Sequence, residues 1–281
     1  MRRQRAMAAA TEPPARALAR LYCPPAHRAA LAALLELESQ IRAPLAAAAT
    51  HELAHARLTW WAEECARLAA GAARHPLTRA LATHFAGREA ALAQLGLLVE
   101  LARWDLACAT FESRAELEAY AARWSEALVG ALCGLLLPHG RVAPALALGA
   151  ALGTLELVNA LGADARRGRL RLPVDELAQA GIESASLTRP TLEVAASALV
   201  REQHRRARRA LADAVGALEA NAQVALRPLL VWAGMTALHS RRALHDLPRL
   251  SLPGEHRALL DGWHAWRIAR RAARGRYRLE A

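Results

Sequence analysis

The chain has 281 residues, 54% of them hydrophobic, so it can bury a sizeable core and lies near the size at which single domains begin to split. Its formal charge of +11 would suit nucleic acid, a membrane surface or a phosphorylated ligand, yet all 37 basic residues are arginines scattered through alanine-rich segments, a compositional habit that requires no ligand. With 7 Trp, 3 Tyr and 2 Phe and no recognised nucleic-acid motif, stacking platforms for single strands are scarce, and no nucleic-acid partner is expected.

Residues 1–17 open with Met1-Arg2-Arg3-Gln4-Arg5 and have no apolar core of the kind an export signal needs. They read as a flexible segment ahead of one helical domain over 18–281, in a cytoplasmic protein that can touch the inner membrane peripherally. The longest apolar runs, near 128–137 and 142–161, are interrupted by Gly, Pro, Cys or Glu and read as buried helices rather than bilayer spans. Cys23, Cys65, Cys108 and Cys133 are widely spaced and form no C-x-x-C pair, so they read as small apolar residues rather than zinc ligands or disulfide partners.

Alanine and leucine at helical spacing, with few β-branched residues, predict an all-α fold. Helices are expected at 26–45, 51–71, 75–101, 114–137, 142–161, 191–222, 224–246 and 254–274. Pro24-Pro25 suits the start of the first, Thr50 or His51 opens the second, and His75-Pro76 the third. Ser113 with Glu116 has the spacing of a capping box for the fourth, and Pro144 falls in the first turn of the fifth. Residues 162–190 differ: glycines, the run Arg166-Arg167-Gly168-Arg169, Leu172-Pro173 and Pro190 predict an irregular excursion with one short helix at 174–180. No repeat of fixed period is present, so a globular helical bundle is expected.

Two clusters could carry chemistry. Arg57, Trp61 and Glu64 share a helix side at spacings of four and three, with Trp60 adjacent, and could line a pocket taking phosphate at one end and hydrocarbon at the other; a core Trp pair with a surface ion pair beside it is the plainer alternative. Glu156 and Asn159 share the next such face, followed by Asp164, Arg166, Arg167 and Arg169. Asn159 and Asp164 are the candidate magnesium ligands, and Arg167 and Arg169 the candidate diphosphate ligands, against the alternative of a solvated helix end. Arg57, Glu64, Asn159, Asp164 and Arg167 are expected to converge on one cavity mouth, the helices of 26–45, 51–71 and 142–161 facing a common cavity. Glu36 and Glu38 are two residues apart and make a poor carboxylate pair, while His51 and His55 lack the rest of a zinc-protease motif.

The order of these features resembles the squalene/phytoene synthase family over roughly residues 18–245. It is carried by Tyr22-Cys23-Pro24-Pro25 with Arg28, Arg57-Leu-Thr-Trp60-Trp61-Ala-Glu-Glu64, His75-Pro76-Leu77, the Tyr120 helix and Asn159. The stretch from Asp164-Ala-Arg-Arg167-Gly168-Arg169 to Leu172-Pro173 and Asp175 completes it. The WW-x-E and D-x-x-x-G-R-x-x-L-P pieces are the most specific. The resemblance implies an all-α isoprenoid-synthase fold whose active members join two prenyl diphosphates head to head with magnesium held by two aspartate-rich motifs. This chain departs at both. The first region reads Leu34-Leu-Glu36-Leu-Glu38-Ser-Gln40-Ile-Arg42 without aspartate, and the second keeps Asn159 and Asp164 but is shortened by about three residues. The first region also resembles the branch that includes the mitochondrial complex I assembly factor.

The expected function is therefore a catalytically inactive relative that binds an isoprenoid or other lipid, a prenyl diphosphate among them, or holds a protein partner, with no cofactor. The alternatives are an active prenyl transferase, which would need magnesium, and an unrelated role on the same scaffold. Finally, Leu259, Leu260, Trp263, Trp266 and Ile268 interleave with Arg267, Arg270, Arg271, Arg274, Arg276 and Arg278. That pattern fits docking on an anionic membrane or an acidic protein, or else simply closure of the core.

Overall fold

The computed structural model describes residues 14–45, 50–137, 139–189, 191–249 and 258–280. Among them there is no strand, only an isolated bridge between Thr191 and Arg249, so the fold is all-α as the apolar spacing requires. The helices are α1 (Pro14–Leu21), α2 (Arg28–Arg42), α3 (His51–Ala69), α4 (Pro76–His84), α5 (Leu97–Leu106), α6 (Arg114–Leu136) and α7 (Val142–Asn159). They continue with α8 (Leu161–Ala165), α9 (Val174–Gln179), α10 (Val194–Gly216), α11 (Ala220–Ala225), α12 (Arg227–Asp246) and α13 (Ala258–Ala272).

Several boundaries follow from local chemistry. The Thr50 side chain accepts a hydrogen bond from the Leu53 N–H at the start of α3, and His75 Nδ1 accepts one from Leu77 at the start of α4, where Pro76 gives up no needed donor. Ser113 makes no capping hydrogen bond, contrary to the capping-box expectation; Glu116 instead accepts from the Glu112 N–H at 2.8 Å. The expected helix at 75–101 is broken into α4, a 3-10 turn at Glu89–Leu92 and α5, because Gly87 adopts a left-handed φ of 76° that ends the first piece. Similarly, 191–222 divides at Gly216 into α10 and α11. The beginning of the expected 254–274 helix lies outside the described residues. Helix α1 begins at Pro14, within the segment 1–17, and buries Ala15 and Ala19.

Helix α7 is the centre of the bundle, packed against α6, α10 and α12. It is the one helix among the described residues long and apolar enough to cross a membrane, yet here Leu148, Leu152 and Leu155 are fully buried in the protein interior. Glycine sets its distance from α6. A Cβ on Gly149 would collide with Ser125 Oγ and lie 2.7 Å from Val129 Cγ2, and one on Gly153 would lie 3.0 Å from the Trp124 ring. Ser125 Oγ donates to the Leu146 carbonyl at 2.8 Å across this contact. The close approach brings Trp124 of α6 edge-on to Trp232 of α12, with ring centroids 5.6 Å apart.

Candidate functional site

The α3 cluster is an anchor for the α3–α4 turn. Glu64 is fully buried, and its Oε1 accepts from the backbone N–H groups of Arg74 and His75, each at 2.8 Å, and from Thr78 Oγ1 at 2.5 Å. Arg67 Nε donates to its other oxygen at 2.9 Å. Burial works to raise the Glu64 pKa, but these donors together hold it at about 2. Trp61 is buried edge-on to His75 and to Trp60, whereas Arg57, on the same helix side, is exposed. The partners of Glu64 all lie between residues 67 and 78, which makes the cluster structural, though not as a core Trp pair beside a surface ion pair: Trp60 is exposed and Glu64 is buried.

The second cluster divides. Glu156 and Asn159 both face α12: Glu156 Oε1 accepts from Trp232 Nε1 at 2.6 Å, and Asn159 Nδ2 donates to the Thr236 carbonyl at 3.1 Å. Asp164 points elsewhere, accepting from Arg171 Nε at 3.0 Å, with Arg167 and Arg169 each 3.9 Å away. Asp164, Arg167 and Arg169 thus meet as the sequence spacing requires, while Asn159 serves a different contact.

What unites the interior is a set of charges that the sequence reading did not assemble. Arg16 of α1 reaches inward: Nη1 is 2.5 Å from Glu38 Oε2 on α2, and Nη2 is 2.9 Å from Glu156 Oε2 on α7. Its guanidinium lies 4.6 Å from the centre of the Trp232 ring, and Trp124 Nε1 donates to Glu38 Oε1 at 2.8 Å. Burial alone would lower the Arg16 pKa, but the two carboxylates raise it above its ordinary value. Burial likewise pushes the Glu38 pKa up, and Arg16, Arg42 and the Trp124 N–H reverse this to leave it lowered. Glu38 is therefore held as a carboxylate by the chain's own cations and the Trp124 N–H.

A second buried network adjoins it. Asp105 of α5 is 2.7 Å from Arg171 and 3.2 Å from Arg42, and accepts from Tyr120 Oη at 3.0 Å. Arg171, 3% exposed, joins Asp105 to Asp164. Burial, then the nearby Asp105, pushes the Tyr120 hydroxyl up to about 12, with Arg42 and Arg171 pulling the other way. Signals for these residues do exist in the sequence: Glu38 lies inside Leu-Leu-Glu-Leu-Glu-Ser-Gln-Ile, Asp105 inside an apolar run, and Arg171 between two leucines. A charge enclosed by apolar neighbours on a helix must find a buried partner.

Magnesium requires near-octahedral oxygen ligation. Asn159 Oδ1 is a buried oxygen without a hydrogen-bond partner, but it is a single amide oxygen, and the Asp164 carboxylate is engaged by arginine. No group of three or more His, Cys, Asp or Glu able to hold a metal occurs among the described residues. The donors present do not fit a magnesium cluster. Two clefts, of about 530 and 290 Å³, are lined by other residues: Arg114, Asp175, Glu176 and Arg206 in the larger, Ala62, Cys65, Ala66 and Arg103 in the smaller. Neither lies between α2 and α7, where Arg16 and the Trp124 and Trp232 rings are found.

This geometry can be set beside known proteins. No curated protein matches the sequence significantly. Among solved structures, a dehydrosqualene synthase determined in complex with ligand has a TM-score of 0.71 at 15% identity, over 92% of this chain and 91% of that one. The squalene synthase HpnC from Alicyclobacillus acidocaldarius gives 0.62 at 18% identity, over 82% and 88% respectively. At such identities the likeness is one of fold. A sequence profile supplies the rest, matching residues 13–264. The helical fold and this match over most of its length place the chain in the squalene/phytoene synthase family.

Proposed function

We propose that this family member does not condense prenyl diphosphates and acts through its outer surface, as a scaffold or assembly factor with a lipid or protein partner. The observation that carries this reading is the Arg16 bridge between Glu38 and Glu156. Head-to-head condensation brings two polyanionic diphosphates together, and ionising an allylic diphosphate requires strong charge neutralisation at its oxygens. Here the buried Glu38 of α2 and the partly exposed Glu156 of α7 are already paired with one guanidinium, and indole rings lie beside it. An arginine held by two carboxylates offers no open coordination position to a substrate.

The alternative, a magnesium-dependent prenyl transferase, is favoured by Asp164 and by the unpartnered Asn159 Oδ1. The two readings separate in one experiment, incubation of purified protein with magnesium and radiolabelled farnesyl or geranylgeranyl diphosphate. The expected result is no hydrocarbon product above a protein-free control. Product that requires magnesium and is lost in a folded Asp164→Asn variant would overturn the proposal.

A further inference from the structure

Helix α13 has two faces with different tasks. One closes the domain: Ala265, Ala269 and Ala272 are buried against it, Asp261 is 1% exposed and 2.7 Å from Arg242 of α12, and Ile268 packs over Gly234. The other carries Leu259, Trp263 and Trp266, which are 91%, 49% and 45% exposed, at spacings of four and three that place them on one side of the helix. Core closure, the plainer explanation for these apolar residues, is thus accomplished by the opposite face.

From this second face we infer that α13 seats the protein on the anionic surface of a lipid bilayer. The charge pattern selects that occupant. Arg267, Arg270, Arg271, Arg274, Arg276 and Arg278 follow the tryptophans, and the single acid between residues 259 and 278, Asp261, is buried on the far side. Arg267 lies 4.5 Å from the centre of the Trp263 ring and Arg270 lies 5.2 Å from that of Trp266. Each pair presents an indole with a guanidinium over its face, an arrangement suited to the headgroup layer, where the ring meets glycerol and upper acyl chain and the cation meets lipid phosphate. Two tryptophans and a leucine make too small an apolar area for deep insertion, so attachment depends on the arginines and is reversible by salt. This inference deepens the surface-acting reading and rests on it. Vesicle binding and condensation are separate measurements, so the failure of one is distinguishable from the failure of the other.

The test is co-sedimentation of the full chain with vesicles of phosphatidylcholine alone, or of phosphatidylcholine and phosphatidylglycerol in equal parts, at low and high salt. The chain is expected to bind the anionic vesicles at low salt and to be released at high salt. Because a basic residue near an anionic surface contributes about fivefold in partition, Arg267→Gln with Arg270→Gln is expected to weaken binding about thirtyfold. Trp263→Ser with Trp266→Ser should lower it as well, with an unchanged circular dichroism spectrum and melting temperature, since both side chains are outside the core. Equal binding to neutral vesicles, unchanged binding of both folded double variants, or no binding of the wild type to anionic vesicles would each overturn the inference. The last result would leave an acidic protein as the occupant to pursue.

Discussion

Arg16 and Glu156 are 140 residues apart in sequence and 2.9 Å apart in space, and the pair shares its guanidinium with Glu38. Removing Arg16 takes the nearest ion-pair partner from the buried Glu38, so Arg16→Ala is expected to destabilise the fold by about 3 kcal/mol, measured by chemical denaturation. Arg16→Lys should recover only part, because an ammonium cannot span two carboxylates and lie flat over Trp232. Combining Arg16→Met with Glu38→Gln and Glu156→Gln should restore most of the loss. If the combined variant is as unstable as Arg16→Ala, the deficit lies in packing rather than charge.

Magnesium offers a sharper comparison. With Arg16 truncated to alanine, Glu38 and Glu156 lose the cation that bridges them, and two carboxylates are a starting point for a divalent ion. Millimolar magnesium is expected to raise the melting temperature of Arg16→Ala and leave that of the wild type unchanged. Equal responses would show that the arginine does not exclude metal.

His204 sets one acid limit of stability. It is buried on α10 with Nδ1 2.7 Å from Ser240 Oγ, and burial, then Arg208, lowers its pKa from 6.5 to about 4. The unfolded chain therefore takes up this proton first: stability is full above about pH 6.5 and declines as pH falls to about 4, by roughly 3 kcal/mol in total. Denaturation midpoints across that range should show the decline in the wild type and a shallower one in His204→Gln. Identical slopes would mean that another group controls the window.

Glu64 sets a second limit at lower pH. Its folded pKa of about 2 lies below the ordinary 4.5, so its contribution is complete above about pH 4.5 and is lost as pH falls towards 2. Glu64→Gln keeps the volume but donates where it should accept. It is expected to lower stability at pH 7 by about 3 kcal/mol and to flatten the profile below pH 4.5. Because its partners hold the start of α4, hydrogen exchange at Arg74 and His75 should accelerate most.

The close contact of α6 and α7 can be probed by one methyl group. Gly149→Ala places a Cβ 2.7 Å from Val129 Cγ2 and against Ser125 Oγ, within a core that cannot yield freely. A loss of about 1–3 kcal/mol is expected by denaturant titration, with Ser125→Ala relieving part of it.

The helical class and most helix positions were legible because alanine, leucine, proline and glycine act locally. The break within 75–101 was harder, since Gly87 looks like any other helix glycine until its φ is known. Glu156 and Asn159 share a face at i,i+3, and both do face α12. By contrast, Arg16 sits in an alanine-rich segment that reads as a flexible leader, and its two acidic partners are 22 and 140 residues away. Periodicity reports which side of a helix is apolar, not which distant helix will supply the counter-charge. For the same reason Asn159 and Asp164, five residues apart, read as one site although α7 ends at the first and the chain turns before the second.

Helix α1 packs on α12, and its Arg16 needs α2, α7 and Trp232 at once. On the ribosome α1 emerges long before α12, so its docking surface is completed only when α12 has left the exit tunnel. Until then Glu38 and Glu156 have no guanidinium between them, and the half-made protein carries an open acidic seam that α1 later closes.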